Sequence, residues 1–320
     1  MLKIEHLTKT YGRYQALNGL DLTIEDGALF GFVGPNGAGK TTTIKILAGL
    51  LMPDEGKVTI NGIDALKDYR QLKGMVGYVP DSFGVYDNLK VWEYMEFFAA
   101  CYGLDGLSAR KRCMTLLEQA GLEDRTDSYV DGLSRGMQQR LCLARALIHD
   151  PDLVVMDEPS SGLDPRSRAE FKELVLELNE QGKTILISSH MLPELAQMCT
   201  DIGIIEQGRM VLKGSMKEIM ERVDQSNPLL ITVSGNQEQA MAILRSHVCV
   251  RTISIKNDCF SVGFTGDAQD EAQLLCLLVD AGVPVTRFYR RQGNLESLFM
   301  EITDHEADKE VLIYEGKPGV

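Results

Sequence analysis

Leu2 and Ile4, then Leu20, Leu22 and Ile24, alternate with polar residues, and Val58 and Ile60 repeat the alternation in KVTING. A period of two puts the apolar side chains on one face, so the first 60 or so residues are expected to hold half-buried antiparallel strands. Ala28 to Val33 is instead an unbroken apolar run into Gly34. Ile44, Leu47, Ala48 and Leu51 then recur at helical spacing, which predicts a buried strand, a glycine loop and a helix.

Between Asn88 and Leu122 the apolar positions of NLKVWEYMEFFAACYGL and RKRCMTLLEQAGL fall at helical intervals and predict a helical insertion. Leu153 to Met156 and Thr184 to Ser188 return to short apolar strands around the helical RAEFKELVLELNEQG, the alternation of an α/β core with a parallel sheet. A polar stretch, RVDQSNP, marks a boundary at Arg222 to Pro228. Beyond it LLITVSG, NQEQAMAILRSH, CVRTISIKN, DCFSVGFTG, AQDEAQLLCLLVDAG and VPVTRFYRRQG read as βαββαβ, the order of a ferredoxin-like unit. NLESLFMEIT follows as an amphipathic helix, and the acidic segment from Asp304 is expected to be a mobile tail. The reading divides the chain into residues 1–222, with a helical part at about 82–150, an accessory α+β domain at 223–303, and a tail at 304–320.

With 320 residues, 44% of them hydrophobic, the chain can fill a large core and a smaller one. A formal charge of −13 argues against nucleic acid as a partner, because no overall positive field attracts phosphate backbones. Seven cysteines with no C-x-x-C pair read as reduced, mostly buried thiols. MLKIEHLTKTYG lacks the features of a secretory leader, and no stretch reaches the ~20 apolar residues that span a bilayer. A membrane role therefore requires another polypeptide.

Chemistry concentrates at Gly34, Pro35, Asn36, Gly37, Ala38, Gly39, Lys40 and Thr41, which spell GPNGAGKT. The glycines let backbone N–H groups turn inward around phosphates, and the following helix offers its N-terminus to negative charge. Lys40 is placed to reach the β- and γ-phosphates of ATP and the Thr41 hydroxyl to ligate Mg²⁺, and Thr42 is counted among the nucleotide-binding residues. In LVVMDE, Asp157 and Glu158 follow an apolar strand; the first carboxylate suits Mg²⁺ and the second suits polarising an attacking water.

These segments together resemble the nucleotide-binding subunit of an ATP-binding cassette (ABC) transporter over about the first 220 residues, with the markers in family order. The implied fold is a P-loop α/β ATPase with an antiparallel β subdomain and a helical subdomain, followed by the small α+β unit. The resemblance implies that Tyr11 stacks on adenine, and that Ser134, Arg135 and Gly136 of LSRGMQQRLCLARAL contact the γ-phosphate of ATP held by a second subunit. Arg135 and Met137 depart from the family's LSGGQ, and Arg135 either contacts phosphate or points to solvent. Asp164 of SSGLD falls on the loop that couples the two sites, and His190 after TILISS falls at the family's switch histidine. Asp81 after MVGYVP stands where the family usually has glutamine; it lines the site and can reach Mg²⁺ or water, while adding negative charge beside Asp157 and Glu158.

The implied assembly is a head-to-tail pair of such subunits, with a homodimer favoured, bound at the cytoplasmic face of the membrane to a separate multi-span permease. The aromatics Trp92, Tyr94, Phe97 and Phe98 lie where the family docks that permease, or else form the insertion's own core. One cassette followed by a small domain resembles the exporters of drugs, antibiotics, lipids or polysaccharides. The competing reading is a soluble ABC ATPase that acts in assembly or regulation without transport.

Overall fold

Alternation in LKIEHLTKTY and YQALNGLDLTI produces β1 (Leu2–Tyr11) and β2 (Tyr14–Ile24), paired antiparallel so that Leu2 faces Ile24 and Ile4 faces Leu22. With β4 (Glu55–Ile60) and β5 (Ile63–Asp64) they form a sheet in the order β2-β1-β4-β5. Its apolar face, including Leu2, Ile4, Leu20, Leu22, Val58 and Ile60, joins a core shared with Phe30, Phe32, Val155 and Leu186. The description covers residues 1–67, 69–82, 84, 88–219, 228–256 and 258–290 of a computed structural model. The chain divides into one unit at Met1–Met216 and a second beginning at Lys217.

The central sheet of the first unit runs β10-β9-β3-β8-β7-β6. β3 (Leu29–Val33), β6 (Val76–Val79), β7 (Leu153–Met156), β8 (Thr184–Ser189) and β9 (Asp201–Glu206) are parallel neighbours, and β10 (Arg209–Ser215) closes the edge antiparallel. Every residue of β3, β7 and β8 is buried, which is why these strands read as unbroken apolar runs rather than alternation. Parallel strands share a C-terminal edge, so the ends of β3, β7 and β8 meet although Val33, Met156 and Ser189 are far apart in sequence.

The helices are α1 (Lys40–Leu47), α2 (Tyr69–Met75), α3 (Val91–Cys101), α4 (Gly106–Gln119), α5 (Arg135–Ala146), α6 (Pro165–Glu180) and the short α7 (Leu192–Leu195). The expected helical insertion is thus two helices, broken where Gly103 (φ +73°) and Gly106 (φ +67°) turn left-handed. α6 starts at Asp164, whose carboxylate accepts from the N–H groups of Arg166 and Ser167, with Pro165 in the first turn.

The second unit contains β11 (Leu229–Val233), α8 (Gln237–Ser246), β12 (Val250–Lys256), β13 (Cys259–Phe264), α9 (Ala268–Asp280) and β14 (Val285–Arg290). Its sheet order is β12-β13-β11-β14, antiparallel throughout, the ferredoxin-like arrangement. Leu229, Ile231, Phe260 and Val262 pack under Ala240, Leu244, Leu274 and Leu278. NLESLFMEIT, the tail and most of RVDQSNP lie outside the described residues.

One expectation is corrected. Only Cys113, Cys142 and Cys199 are buried; Cys249 and Cys259 are half-buried, and Cys101 and Cys276 are exposed. Cys276 sits on α9 between the inward-facing Leu274 and Leu278, so the helical period turns it to solvent.

Candidate functional site

The loop joining β3 to α1 is shaped by what crowds it. A Cβ on Gly34 would stand 2.4 Å from the Ile205 carbonyl oxygen, and one on Gly39 would stand 2.6 Å from that of Ala16. Gly37 and Gly39 also adopt φ of +85° and +111°. Glycine at these positions lets the backbone wrap close to β2 and β9 while the α1 N-terminus stays open. Lys40 is buried and folds back over the loop: its Nζ donates to the carbonyls of Gly34 (2.6 Å) and Pro35 (3.2 Å) and lies 3.5 Å from Glu158 Oε1.

The ends of β7 and β8 bring the acids to this loop. Asp157 Oδ1 accepts from Thr41 Oγ1 at 3.1 Å and from Ser188 Oγ at 2.7 Å, and Ser188 Oγ accepts from the Glu158 N–H at 3.0 Å. Burial holds the Asp157 carboxyl above the ordinary carboxylate range, and the charges of Asp81 and Glu158 add to that, against the two hydroxyl hydrogen bonds. Glu158 has φ +46°, left-handed for a residue with a side chain, and its Oε2 lies 2.8 Å from His190 Nδ1. Backbone strain at a carboxylate bridging Lys40 and His190 is of the kind stored at functional sites.

A cavity of about 510 Å³ opens over these groups. Of the residues singled out in the sequence, it is lined by Tyr11, Asn36, Gly37, Gly39, Lys40, Thr41, Thr42, Asp81, Arg135, Glu158 and His190. Gly34, Pro35 and Ala38 shape the loop without lining the cavity, and Asp157 lies beneath it at 1% exposure. Tyr14, Ala16, Ser82 and Ser161 line it as well and were missed; so was Ser188, buried under the acids. Tyr14 was within reach of sequence reasoning, because its hairpin pairs it with Tyr11, and its hydroxyl donates to the Gly37 carbonyl.

Ser134, Gly136 and Asp164 lie outside this cavity, at the N-termini of α5 and α6. Ser134 caps α5 by accepting from the Met137 N–H at 3.4 Å. Gly136 faces Ser167, whose Oγ would stand 2.4 Å from an added Cβ. The Ser167 hydroxyl donates to Asp164 Oδ2 at 2.6 Å, which holds the Asp164 carboxyl below its usual range. The Arg135 guanidinium passes over Gly162 to reach the cavity rim. On α3, Tyr94 is fully buried and its hydroxyl accepts from Arg145 at 3.0 Å, so it belongs to the insertion's own core, whereas Phe97 is exposed.

Among the described residues no cluster of three or more His, Cys, Asp or Glu side chains is arranged to hold a metal by itself. The oxygen donors Thr41 and Asp157, with Asp81 near, fit a Mg²⁺ that takes its remaining ligands from phosphates and water.

Residues 17–161 match the family model described as ABC transporter. The linearmycin resistance ATP-binding protein LnrL of Bacillus subtilis is 34% identical over 95% of this chain and 98% of its own length. The Nod factor export ATP-binding protein I of Ralstonia nicotianae is 34% identical over 96% of this chain and 94% of its own. Among solved structures, an ATP-binding subunit of an ABC transporter superposes with TM-score 0.63 at 30% identity, covering 69% of this chain and 92% of its own. A dimeric ATP-binding cassette in a post-hydrolysis state with ADP and Pi gives TM-score 0.62 at 30% identity, covering 68% and 99%. With the phosphate loop, the paired acids and the full-length relatives in agreement, the chain belongs to the ATP-binding subunits of ABC transporters and is an ATPase that energises transport.

Proposed function

We propose that this subunit drives export through a separate multi-span membrane protein, and that its ATPase cycle is carried by Lys40, Glu158 and His190. The observation that carries the site assignment is the convergence of Lys40, Glu158 and His190 within direct contact at one strand edge, with Glu158 between the two cationic or polar partners.

ATP enters the cavity with its phosphates on the loop amides and its adenine against Tyr11. Lys40 exchanges the carbonyls of Gly34 and Pro35 for the β- and γ-phosphate oxygens, an exchange that leaves its charge buried and paired throughout. Glu158 accepts a proton from the attacking water, and His190, hydrogen-bonded to Glu158, holds that carboxylate in line and offers its other ring nitrogen to the γ-phosphate. Thr41 and Asp157, with Asp81 near, would hold a Mg²⁺, which would supply neutralisation of phosphate charge when bound. Ser134 and Gly136 at the α5 N-terminus, with Asp164, complete the site of a second copy, and Arg135 reaches phosphate from the rim, so that ATP draws a homodimer together and hydrolysis releases it.

Export is supported by the names of the two relatives, one a resistance protein and one an export protein. No described helix is long and apolar enough to cross a membrane, and both relatives are named as ATP-binding proteins of resistance or export, which supports a separate membrane-spanning partner. Phe97 and its exposed neighbours on α3 provide its docking surface on the cytoplasmic side. The relatives match over about 95% of the chain, well past the cassette, which supports a shared role for the second unit in controlling dimer closure.

Glu158→Gln is expected to keep ATP binding, to lose turnover at least about 100-fold, and to accumulate an ATP-bound dimer on size exclusion. Hydrolysis at the wild-type rate overturns the assignment of the base. Recovery of a multi-span protein with the tagged chain in mild detergent supports transport; a wholly soluble complex overturns it.

A further inference from the structure

On the other side of Glu158 and His190 from the nucleotide cavity lies a second, smaller one of about 140 Å³, bounded by the loop 158–164, α6 and the segment running from His190 into α7. Its volume is several times the ~30 Å³ share of one water. Close packing therefore does not fix the His190 segment on this side, although Leu192 and Leu195 anchor it on the other. α7 has only four residues and too few internal hydrogen bonds to be rigid alone.

What spans the gap is a charge pair. Arg168 Nε on α6 lies 2.7 Å from Glu194 Oε1 on α7; both atoms are shut off from solvent, and the contact is an ion pair whose N–H does not point along the line to the oxygen, so neither atom completes a hydrogen bond. The same guanidinium donates from Nη2 to the Leu163 carbonyl at 3.4 Å, in the loop that begins at Glu158. On the far side, the Glu194 N–H donates to the Met191 carbonyl at 3.2 Å, and the Met191 N–H to Ser189 Oγ at 2.9 Å, bracketing His190. Arg168 thus grips the carbonyl of one catalytic segment and the carboxylate of the other.

We propose that Arg168 and Glu194 form a positioning pair for hydrolysis: they set the His190 segment at the spacing that keeps Nδ1 on Glu158 Oε2 at 2.8 Å. Neither touches nucleotide. The inference rests on the roles proposed above for Glu158 and His190. The facing atoms are dry but the side chains differ in exposure, Glu194 at 16% and Arg168 at 37%, so it is the Glu194 carboxylate that loses its counter-charge away from most of the solvent when the pair is broken. Lys172 Nζ to Gln197 Oε1, at 3.3 Å and exposed, is a weaker link one turn further along α6.

The test measures steady-state ATPase against ATP concentration, together with thermal unfolding, for the full chain and three variants. Glu194→Gln keeps shape and removes the charge; it is expected to lower kcat about tenfold with the KM for ATP within about twofold, because the phosphate loop is untouched. Arg168→Lys, which keeps the charge but loses the forked donor, is expected to fall between. The reversed pair, Arg168→Glu with Glu194→Arg, is expected to recover kcat to within about threefold of wild type. A kcat for Glu194→Gln within twofold of wild type overturns the proposal. So does a loss that tracks a lowered unfolding temperature and is not recovered by Arg168→Lys or by reversal, since that is a purely structural role. Glu158→Gln run alongside separates the two levels: if it loses turnover while Glu194→Gln does not, only the pair falls. If Glu158→Gln turns over normally, both fall.

Discussion

The Ser188 hydroxyl donates to Asp157 Oδ1 at 2.7 Å and accepts from the Glu158 N–H at 3.0 Å, so one side chain at the end of β8 holds both acids at the end of β7. Ser188 is completely buried, so nothing from solvent replaces it. Ser188→Ala is expected to lower kcat about tenfold and to cost about 1–3 kcal/mol of stability, because the Glu158 N–H loses its acceptor while Asp157 Oδ1 keeps only Thr41. ATPase assays and thermal unfolding check both; an unchanged kcat would mean that Lys40 and His190 hold Glu158 without Ser188.

Asp157 carries the opposite sign of effect. Its carboxyl is raised from the usual 3.8, chiefly by burial and then by Asp81 and Glu158, so its ionised form is disfavoured in the nucleotide-free chain. Its contribution to stability is present below about 3.8 and is lost as the pH rises through the raised value. Asp157→Asn removes that cost at neutral pH. The variant is expected to gain on the order of 1 kcal/mol, roughly 2 °C in unfolding temperature, while losing ATP hydrolysis. Calorimetry at pH 7 without nucleotide checks the sign, and a lowered unfolding temperature would contradict it.

Both residues show what a linear reading reaches. Asp157 and Glu158 were legible because they directly follow the apolar LVVM, and the phosphate loop because GPNGAGKT carries its own backbone requirement. Ser188 was not, because a serine at the end of TILISS acquires meaning only when β8 is laid between β3 and β7, and that order is set by crossover connections rather than local pattern. Gly34 shows a subtler gap: the sequence explains it by phosphate, whereas the structure adds the Ile205 carbonyl of β9 pressing on it from behind. In the second unit the βαββαβ order was readable, since β11 and β13 alternate and each helix is amphipathic with Leu244 or Leu274 turned inward, although β12 and β14 break the alternation where their pairing shifts register. α2 was not anticipated: in YRQLKGM the apolar positions Leu72 and Met75 that meet the core are too few to read as a stripe.

Tyr11 and Tyr14 face each other across the β1–β2 turn and both line the nucleotide cavity, yet their chemistry differs. Tyr14 is tied by its hydroxyl to the Gly37 carbonyl, whereas the hydroxyl of Tyr11 makes no such tie to the loop and its half-exposed ring carries Lys9 Nζ 5.9 Å from its centroid. Tyr11→Ala is expected to weaken ATP binding about 5- to 10-fold, with Tyr11→Phe near wild type, because stacking uses the ring and not the hydroxyl. Tyr14→Phe is expected to cost about 2- to 5-fold through a loosened loop. Titration with a fluorescent ATP analogue ranks the three, and a large loss for Tyr11→Phe would move the adenine contact elsewhere.

Arg135 replaces a glycine of the family pattern, and its guanidinium lies over Gly162 at the rim of its own chain's nucleotide cavity. Two contacts are open to it: phosphate bound in the same chain, or phosphate held by the second copy that docks on α5. A charge on an exposed rim acts through a screened field, with a Debye length near ~10 Å at 0.1 M salt and ~3 Å at 1 M. Arg135→Ala is therefore expected to weaken ATP binding about 3- to 10-fold at low salt, with the difference from wild type shrinking as salt rises. The two contacts separate by concentration. In the Glu158→Gln background, a loss already present in dilute monomer assigns Arg135 to its own nucleotide, and a loss confined to the dimer assigns it to the partner's. A salt-independent effect that follows the unfolding temperature would instead reduce Arg135 to a cover over Gly162.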